Sequence, residues 1–209
     1  MLALDVDTMP GLAGAIGITR SGGRLPPGLA ERTDRGWRMK RPGTGPVTLV
    51  ERFAERGPDG IRYLELGKLP GQVEPTVTTA FRHVMEGFRR PGWAVVADLA
   101  AGTRQPMFRW ARFASVVVVV ADSSAKSLIT ARRLAPLATH LVANKVRSPA
   151  DVESVRSAVA LPLLGTVPYD GSVVAADRRG VALIDFDSSS PAVGAAVELT
   201  DRLQDLSTR

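Results

Sequence analysis

Met1-Leu-Ala-Leu-Asp5-Val-Asp7-Thr-Met-Pro10-Gly-Leu-Ala-Gly-Ala-Ile-Gly-Ile18 is the stretch whose reading decides the fold. Leu2 to Leu4 predict the end of a short apolar strand, and Asp5 and Asp7 fall in the strand-to-loop transition that open α/β sheets use for ligand chemistry. Two carboxylates one residue apart at a strand end point the same way, so they can face one phosphate-bound cation or one attacking water. The same spacing also suits a plainer arrangement, in which one Asp caps the following turn and the other is solvated.

Moving outward, the chain has 209 residues, 44% of them hydrophobic, enough for one sizeable core and within the range of a single α/β domain. No apolar run approaches the roughly 20 residues of a membrane span, and no charged-then-apolar leader is visible, so a cytoplasmic protein is the expectation. There are no cysteines, and the two histidines, His83 and His140, are isolated. Thiolate chemistry is therefore excluded, and each His is expected on a helix surface or helix end rather than as a ligand. Any metal should be magnesium held by oxygen atoms. The formal charge of +6, with a pI near 10.4, admits an acidic partner such as nucleic acid, although 27 Lys+Arg against 21 Asp+Glu is a mild excess.

Residues 20 to 46 are rich in Gly, Pro and Arg, lack sustained periodicity, and read as a long excursion within the domain. Trp37, flanked by Arg35 and Arg38, is either an interaction anchor or a side chain that packs the excursion onto its own domain. A short helix is predicted from Val47 to Ala54, a half-buried strand from Gly60 to Leu66, and a helix from Val77 to Arg90 stopped by Pro91-Gly92. A strand, Trp93 to Asp98, then places a carboxylate at its carboxyl end. Phe113 to Val120 ends in five consecutive valines, the pattern of a parallel strand covered on both faces. Asp122-Ser-Ser precedes a helix from Ala125 to Leu137. Leu141 to Lys145 is a further strand, followed by a helix from Asp151 to Ala160. Leu163 to Asp170 reads as strand and turn, and helices cover Ser172 to Arg179 and Pro191 to Leu206. The alternation predicts an α/β fold with a mostly parallel sheet between helices, in three layers.

Strand ends thus carry Asp5/Asp7, Asp98 and Asn144/Lys145, and a further turn carries Pro168-Tyr169-Asp170, groups that a doubly wound sheet gathers at one edge. In identity and order these pieces resemble the MinD/ParA class of P-loop ATPases, with the nearest likeness to the CooC-type branch, the nickel-insertion accessories of carbon monoxide dehydrogenase. The first stretch resembles the class's switch I strand ending in Asp-x-Asp, offset by Thr8 and Met9 before Pro10. The resemblance implies Asp5 near the magnesium and Asp7 orienting the hydrolytic water. Asp98-Leu-Ala-Ala-Gly102 looks like switch II, which implies Asp98 in the magnesium shell and Gly102 close to the terminal phosphate. Ala143-Asn-Lys-Val-Arg147 is similar to the segment whose Asn recognises adenine, with Lys145 beside it. Val167-Pro-Tyr-Asp170 resembles the turn along the base, with Pro168 and Tyr169 as its wall and Asp170 among the nucleotide-binding residues that the resemblance implies. The likeness is continuous from about Trp93 to Leu203. Its implied ligands are ATP or ADP with Mg²⁺, in a homodimer that switches an unidentified protein partner.

Two departures accompany the likeness. No Gly-x-x-x-x-Gly-Lys-Ser/Thr occurs in the 209 residues, so this chain is expected to be a weak or inactive ATPase whose N-terminal βα unit, roughly 35 to 40 residues with its phosphate loop, lies upstream of Met1. The CooC-type Cys-x-Cys is also missing from Leu66-Gly-Lys-Leu-Pro-Gly-Gln-Val-Glu-Pro75, and a soft-metal site without thiolates has no chemical basis. The alternative expectation is a non-catalytic interaction protein on the same fold, using the basic excursion to bind a partner or nucleic acid.

Overall fold

The computed structural model describes residues 1–209 except 8–9, 19–21, 41–42, 68–73, 101–109 and 208–209. Thr8, Met9 and Gly102 therefore lie outside the described residues. Contacts divide the chain into two compact units, residues 1–100 and 101–209, each taken here by itself.

In the first unit, β1 (Leu2–Asp5) runs parallel to β5 (Arg62–Glu65) on one side and β6 (Val95–Asp98) on the other, while β4 (Glu55–Arg56) adds antiparallel to β5. Every residue of β1 is buried, as expected of a central strand in a parallel sheet. Between β1 and β4 come the short α1 (Leu12–Ala15) and α2 (Pro46–Phe53), and α3 (Pro75–Gly87) follows β5. Both α2 and α3 begin with Pro at their first turn, where its missing N–H is not needed. Val77, Ala80, Phe81, Val84 and Met85 form the buried stripe of α3 at helical spacing. Fully burying side chains such as Phe81 and Leu4 is worth about 1.5–3 kcal/mol each.

The excursion is more ordered than its composition predicts. It contains an antiparallel hairpin, β2 (Ala30–Thr33) and β3 (Gly36–Met39), which pairs Arg32 with Trp37 and Glu31 with Arg38 and packs against α3. Gly36, at φ 110°, closes the turn in a conformation that favours glycine. Four-residue strands are too short to show a two-residue period against Gly, Pro and Arg neighbours, which is why the sequence conceals them. Trp37 remains 43% exposed.

In the second unit β7 (Val118–Ala121), β8 (His140–Val146) and β9 (Leu163–Pro168) are parallel in that order. Helices α4 (Ala125–Leu134) and α5 (Pro149–Ala158) contact β7 and β8, and α8 (Pro191–Ser207) contacts β9. The intervening α6 (Gly171–Arg179) and α7 (Leu183–Phe186) pack on one another. Val119, Ala121, Ala131, Leu141, Ala143, Val155 and Val159 make the core. Gly165 permits the β9–α8 contact, since a Cβ there would lie 2.7 Å from the Leu199 side chain.

Two expectations are corrected. The valine run is not a strand covered on both faces: β7 starts only at Val118, and Val120 is 59% exposed. Val117 instead accepts the Thr139 N–H and donates its own N–H to the Thr139 hydroxyl, so the ladder begins one residue later. His140 opens strand β8 rather than sitting on a helix, while His83 lies within α3 as expected, its Nε2 3.1 Å from the Thr44 carbonyl.

Candidate functional site

The register of the first sheet sets three acidic residues in one row at its carboxyl edge, with Asp5 opposite Glu65 on one side and opposite Asp98 on the other. Aligned residues of parallel strands share a face. Asp5 is fully buried, and its oxygens accept from the turn that follows. Oδ1 takes the Asp7 N–H at 3.1 Å, and Oδ2 takes the Gly11 and Leu12 N–H groups at 3.0 and 2.9 Å. Asp5 therefore folds the turn that carries Asp7, the capping arrangement that its spacing also allowed.

Asp98 is exposed, yet its carboxyl is pushed above its ordinary value, first by partial burial and then by the charges of Asp5 and Asp7. The structure thus brings Asp5 and Asp7 close enough for their charges to act on Asp98. Among the described residues, no three His, Cys, Asp or Glu side chains form a metal-holding group by themselves.

Glu65 and Tyr63 were not anticipated. Both are buried, and the Tyr63 hydroxyl donates to Glu65 Oε2 at 2.8 Å while lying 3.4 Å from Asp5 Oδ2. Arg24 Nε donates to Glu65 Oε1. The signal was present in Arg62-Tyr-Leu-Glu65, where the two-residue period puts a carboxylate on the same face as a large aromatic residue.

In the second unit, Asn144 and Lys145 lie where the β8–β9 register shifts between Ala143 and Val146. Lys145 has φ 55°, in the left-handed region that non-glycine residues rarely adopt, and its N–H is accepted by Asn144 Oδ1 at 2.9 Å. Pro168 is in register with Val146, and the Tyr169 N–H donates to the Val146 carbonyl at 2.9 Å. The two segments therefore adjoin at the ends of β8 and β9. The Arg147 guanidinium sits 3.8 Å from the centroid of the Tyr169 ring, so that face carries a cation–π contact.

Asp170 is the N-cap of α6. It accepts from the Ser172 N–H at 2.8 Å, from the Ser190 hydroxyl and from the Ala192 N–H, and the Ser190 and Ser172 bonds hold its carboxyl below the usual range. It ties the start of α6 to the start of α8. A shallow hollow lies beside Arg147, Ser148, Pro149, Val152 and Arg156, and neither Asn144 nor Tyr169 lines it.

No protein-family profile matches the sequence. The carbon monoxide dehydrogenase accessory protein CooC of Rhodospirillum rubrum is 28% identical over 212 residues, covering 89% of this chain and 79% of that protein. Among solved structures, the septum site-determining protein MinD of Pyrococcus horikoshii, complexed with Mg-ADP, superposes with a TM-score of 0.72 at 16% identity over 99% of this chain and 84% of that one. A ParA family ATPase from Chlorobium tepidum gives 0.68 at 11% identity over 97% and 84%. The chain thus has the fold of MinD and ParA-family structures, and its sequence is similar to that of CooC.

Within this MinD/ParA-class fold, the residues singled out from the sequence occupy two strand-end clusters. Asp5, Asp7 and Asp98 adjoin in the first unit, and Asn144, Lys145, Pro168, Tyr169 and Asp170 adjoin in the second. The sequence, similar to CooC, has no cysteine and therefore no thiolate donor.

Proposed function

We propose that this chain is an ATP-binding, ATPase-type switch protein of the MinD/ParA class, built as one P-loop NTPase-like domain. The observation that carries the reading is the register that sets Asp98 beside Asp5 at one sheet edge, where burial and then the charges of Asp5 and Asp7 disfavour the Asp98 carboxylate, a cost that a bound hard cation would relieve. An all-oxygen donor set fits magnesium. Asp98, which is exposed, is the residue best able to face the metal. Asp5, committed to backbone N–H groups, supports it from behind rather than as a lone ligand. When bound, magnesium would neutralise charge on the nucleotide's terminal phosphates.

The chain's own contribution is positioning. Asp7 orients a water for attack on the terminal phosphorus, the bond to the bridging oxygen breaks, and ADP and phosphate leave. Asn144 and Lys145 would meet the base edge, with Pro168 and Tyr169 as the wall beside it and Asp170 fixing the helix behind the wall. Gly102 would approach the terminal phosphate. Two copies around the nucleotide and an unidentified protein partner complete the switch, and without thiolates in this sequence a soft-metal cargo site has no chemical basis here.

Calorimetric titration of the chain with ADP, with and without magnesium, tests the reading. Binding that needs magnesium and is lost in Asp98→Asn is expected, and a folded chain that takes up no nucleotide under either condition would overturn it.

The hairpin favours a second reading, a partner-binding arm, because Trp37 is exposed beside Arg32. Duplex DNA binding that falls steeply with salt would assign that arm to nucleic acid, whereas salt-insensitive binding would count against it.

A further inference from the structure

The buried pair Asp5 and Glu65 places two carboxylates on adjacent strands with almost no water contact, at 0% and 1% exposure. Buried charges persist only when hydrogen-bonded and compensated. Asp5 is served by three backbone N–H groups of its own turn. Glu65 has a different supply: Arg24 meets one oxygen and the Tyr63 hydroxyl the other. Arg24 is about half exposed and belongs to the excursion, which it ties to β5 through an isolated parallel bridge to Glu65.

The approach of the excursion is closely fitted. The Glu65 N–H donates to the Gly23 carbonyl at 2.8 Å, and a Cβ on Gly23 would lie 2.3 Å from the Tyr63 carbonyl. Only glycine brings Arg24 to this depth.

Tyr63 has one proton and two carboxylate neighbours, the nearer being Glu65. Burial, followed by the charges and hydrogen bonds of Glu65 and Asp5, drives its pKa far above the ordinary phenol value, so it remains a donor at any working pH. Whatever weakens the hold of Glu65 on that proton releases it toward Asp5. Whatever strengthens that hold withdraws it.

We propose that Tyr63 and Glu65 are positioning residues that set the Asp7-bearing turn through Asp5, and that Arg24 lets the 20–46 excursion adjust that turn. The proposal rests on the reading of the turn as the nucleotide-facing segment. It adds a route by which a partner seated on the hairpin would alter the site: displacing Arg24 leaves Glu65 uncompensated, and Glu65 then competes harder for the Tyr63 proton.

The test is amide hydrogen exchange, resolved by residue, on the full chain without nucleotide, so that failure of nucleotide binding leaves this result readable. Gly11 and Leu12, whose N–H groups Asp5 accepts, are the reporters, and β8 amides are the control. Tyr63→Phe should speed exchange at both reporters by roughly three- to tenfold, the size of one lost hydrogen bond. Glu65→Gln should leave it unchanged or slow it, because the phenol can then turn to Asp5. Arg24→Gln should speed it as Tyr63→Phe does, and Arg24→Lys should restore it.

Acceleration in Tyr63→Phe with none in Glu65→Gln separates positioning from a merely structural role. Acceleration of equal size in both, matched by the loss of global stability, would overturn the proposal. So would an unchanged turn in Arg24→Gln, a substitution at a half-exposed side chain that leaves the core intact if Glu65→Gln does not fold.

Discussion

The carboxyl edge of the first sheet and that of the second solve different problems with similar residues. Asp5 and Glu65 are buried and can be kept only because every oxygen is spoken for. Asp170, Asn144 and Tyr169 stand at a wetter edge, where water can replace a lost partner and a side chain can turn toward a ligand. Burial makes the first edge rigid and sensitive to charge, and exposure makes the second tolerant. The difference predicts a gradient of mutational effects, each of which can break the comparison.

The largest effect is expected at Asp5. Asp5→Ala removes the acceptor of the Asp7, Gly11 and Leu12 N–H groups and should cost about 3–5 kcal/mol, a large part of a domain's 5–15 kcal/mol. Urea denaturation of the first unit reads it. A loss below about 1 kcal/mol would mean that water reaches the turn and that the two edges do not differ in kind.

Asp170→Ala should be milder and should depend on pH. The Ser190 hydroxyl and the Ser172 N–H hold the folded carboxyl below its ordinary value, so its stabilisation is complete above the unfolded value near about pH 4. It is lost as pH falls through the depressed folded value. Thermal unfolding of the wild type and variant should therefore differ at neutral pH and converge in acid. A gap that persists at about pH 2 would assign the effect to helix geometry instead of charge.

These first two sites also show what could be read in advance. The parallel pairing and the carboxyl-edge acids were legible because each strand end pairs an apolar run with a polar stop, as in Val95 to Asp98. The use of Asp5 as a turn organiser was open, since a carboxylate that binds a cation and one that binds its own backbone have the same spacing. The two-residue period of Arg62 to Glu65 marks the face of Glu65 but not its importance, which comes from register against Asp5 and from Arg24, 41 residues away in sequence, neither of which has a local signature. The hairpin was hidden for a similar reason: Ala30 to Met39 becomes a strand pair through α3 behind it and Gly36 in its turn.

A smaller effect, of opposite sign, is expected at Asp98. Burial and the neighbouring Asp5 and Asp7 raise its folded carboxyl above the unfolded value. Folding therefore favours the protonated form, and stability falls as pH rises between the unfolded and the raised folded values. Asp98→Asn should raise the melting temperature of the ligand-free chain at pH 7 by a degree or two, on the order expected for relief at a half-open site, and by nothing near about pH 3. Stabilisation combined with loss of the magnesium response would mark Asp98 as a residue kept for binding. Destabilisation at pH 7 would instead make it part of the fold, like Asp5.

The smallest effect on stability, and the sharpest contrast between the edges, belongs to Tyr169. The ring is 46% exposed and one face is occupied by the Arg147 guanidinium, a contact worth about 0.5–1 kcal/mol at an open site. Its backbone N–H, not its ring, holds the turn to Val146. Tyr169→Ala should accordingly change folding stability by no more than about 1 kcal/mol. If the ring walls a nucleotide base, ADP affinity should fall by roughly tenfold, within the range of a lost base–aromatic contact. Arg147→Ala discriminates further, because it uncovers the ring face without removing it. ADP binding that holds or tightens in Arg147→Ala while it weakens in Tyr169→Ala means that the base and the guanidinium compete for that face. Equal weakening in both means that the base rests on the Arg147–Tyr169 stack as a unit. A stability loss in Tyr169→Ala comparable to that of Asp5→Ala would place this ring in the core network, and the division between a rigid edge and a tolerant one would fail at the residue chosen to define it.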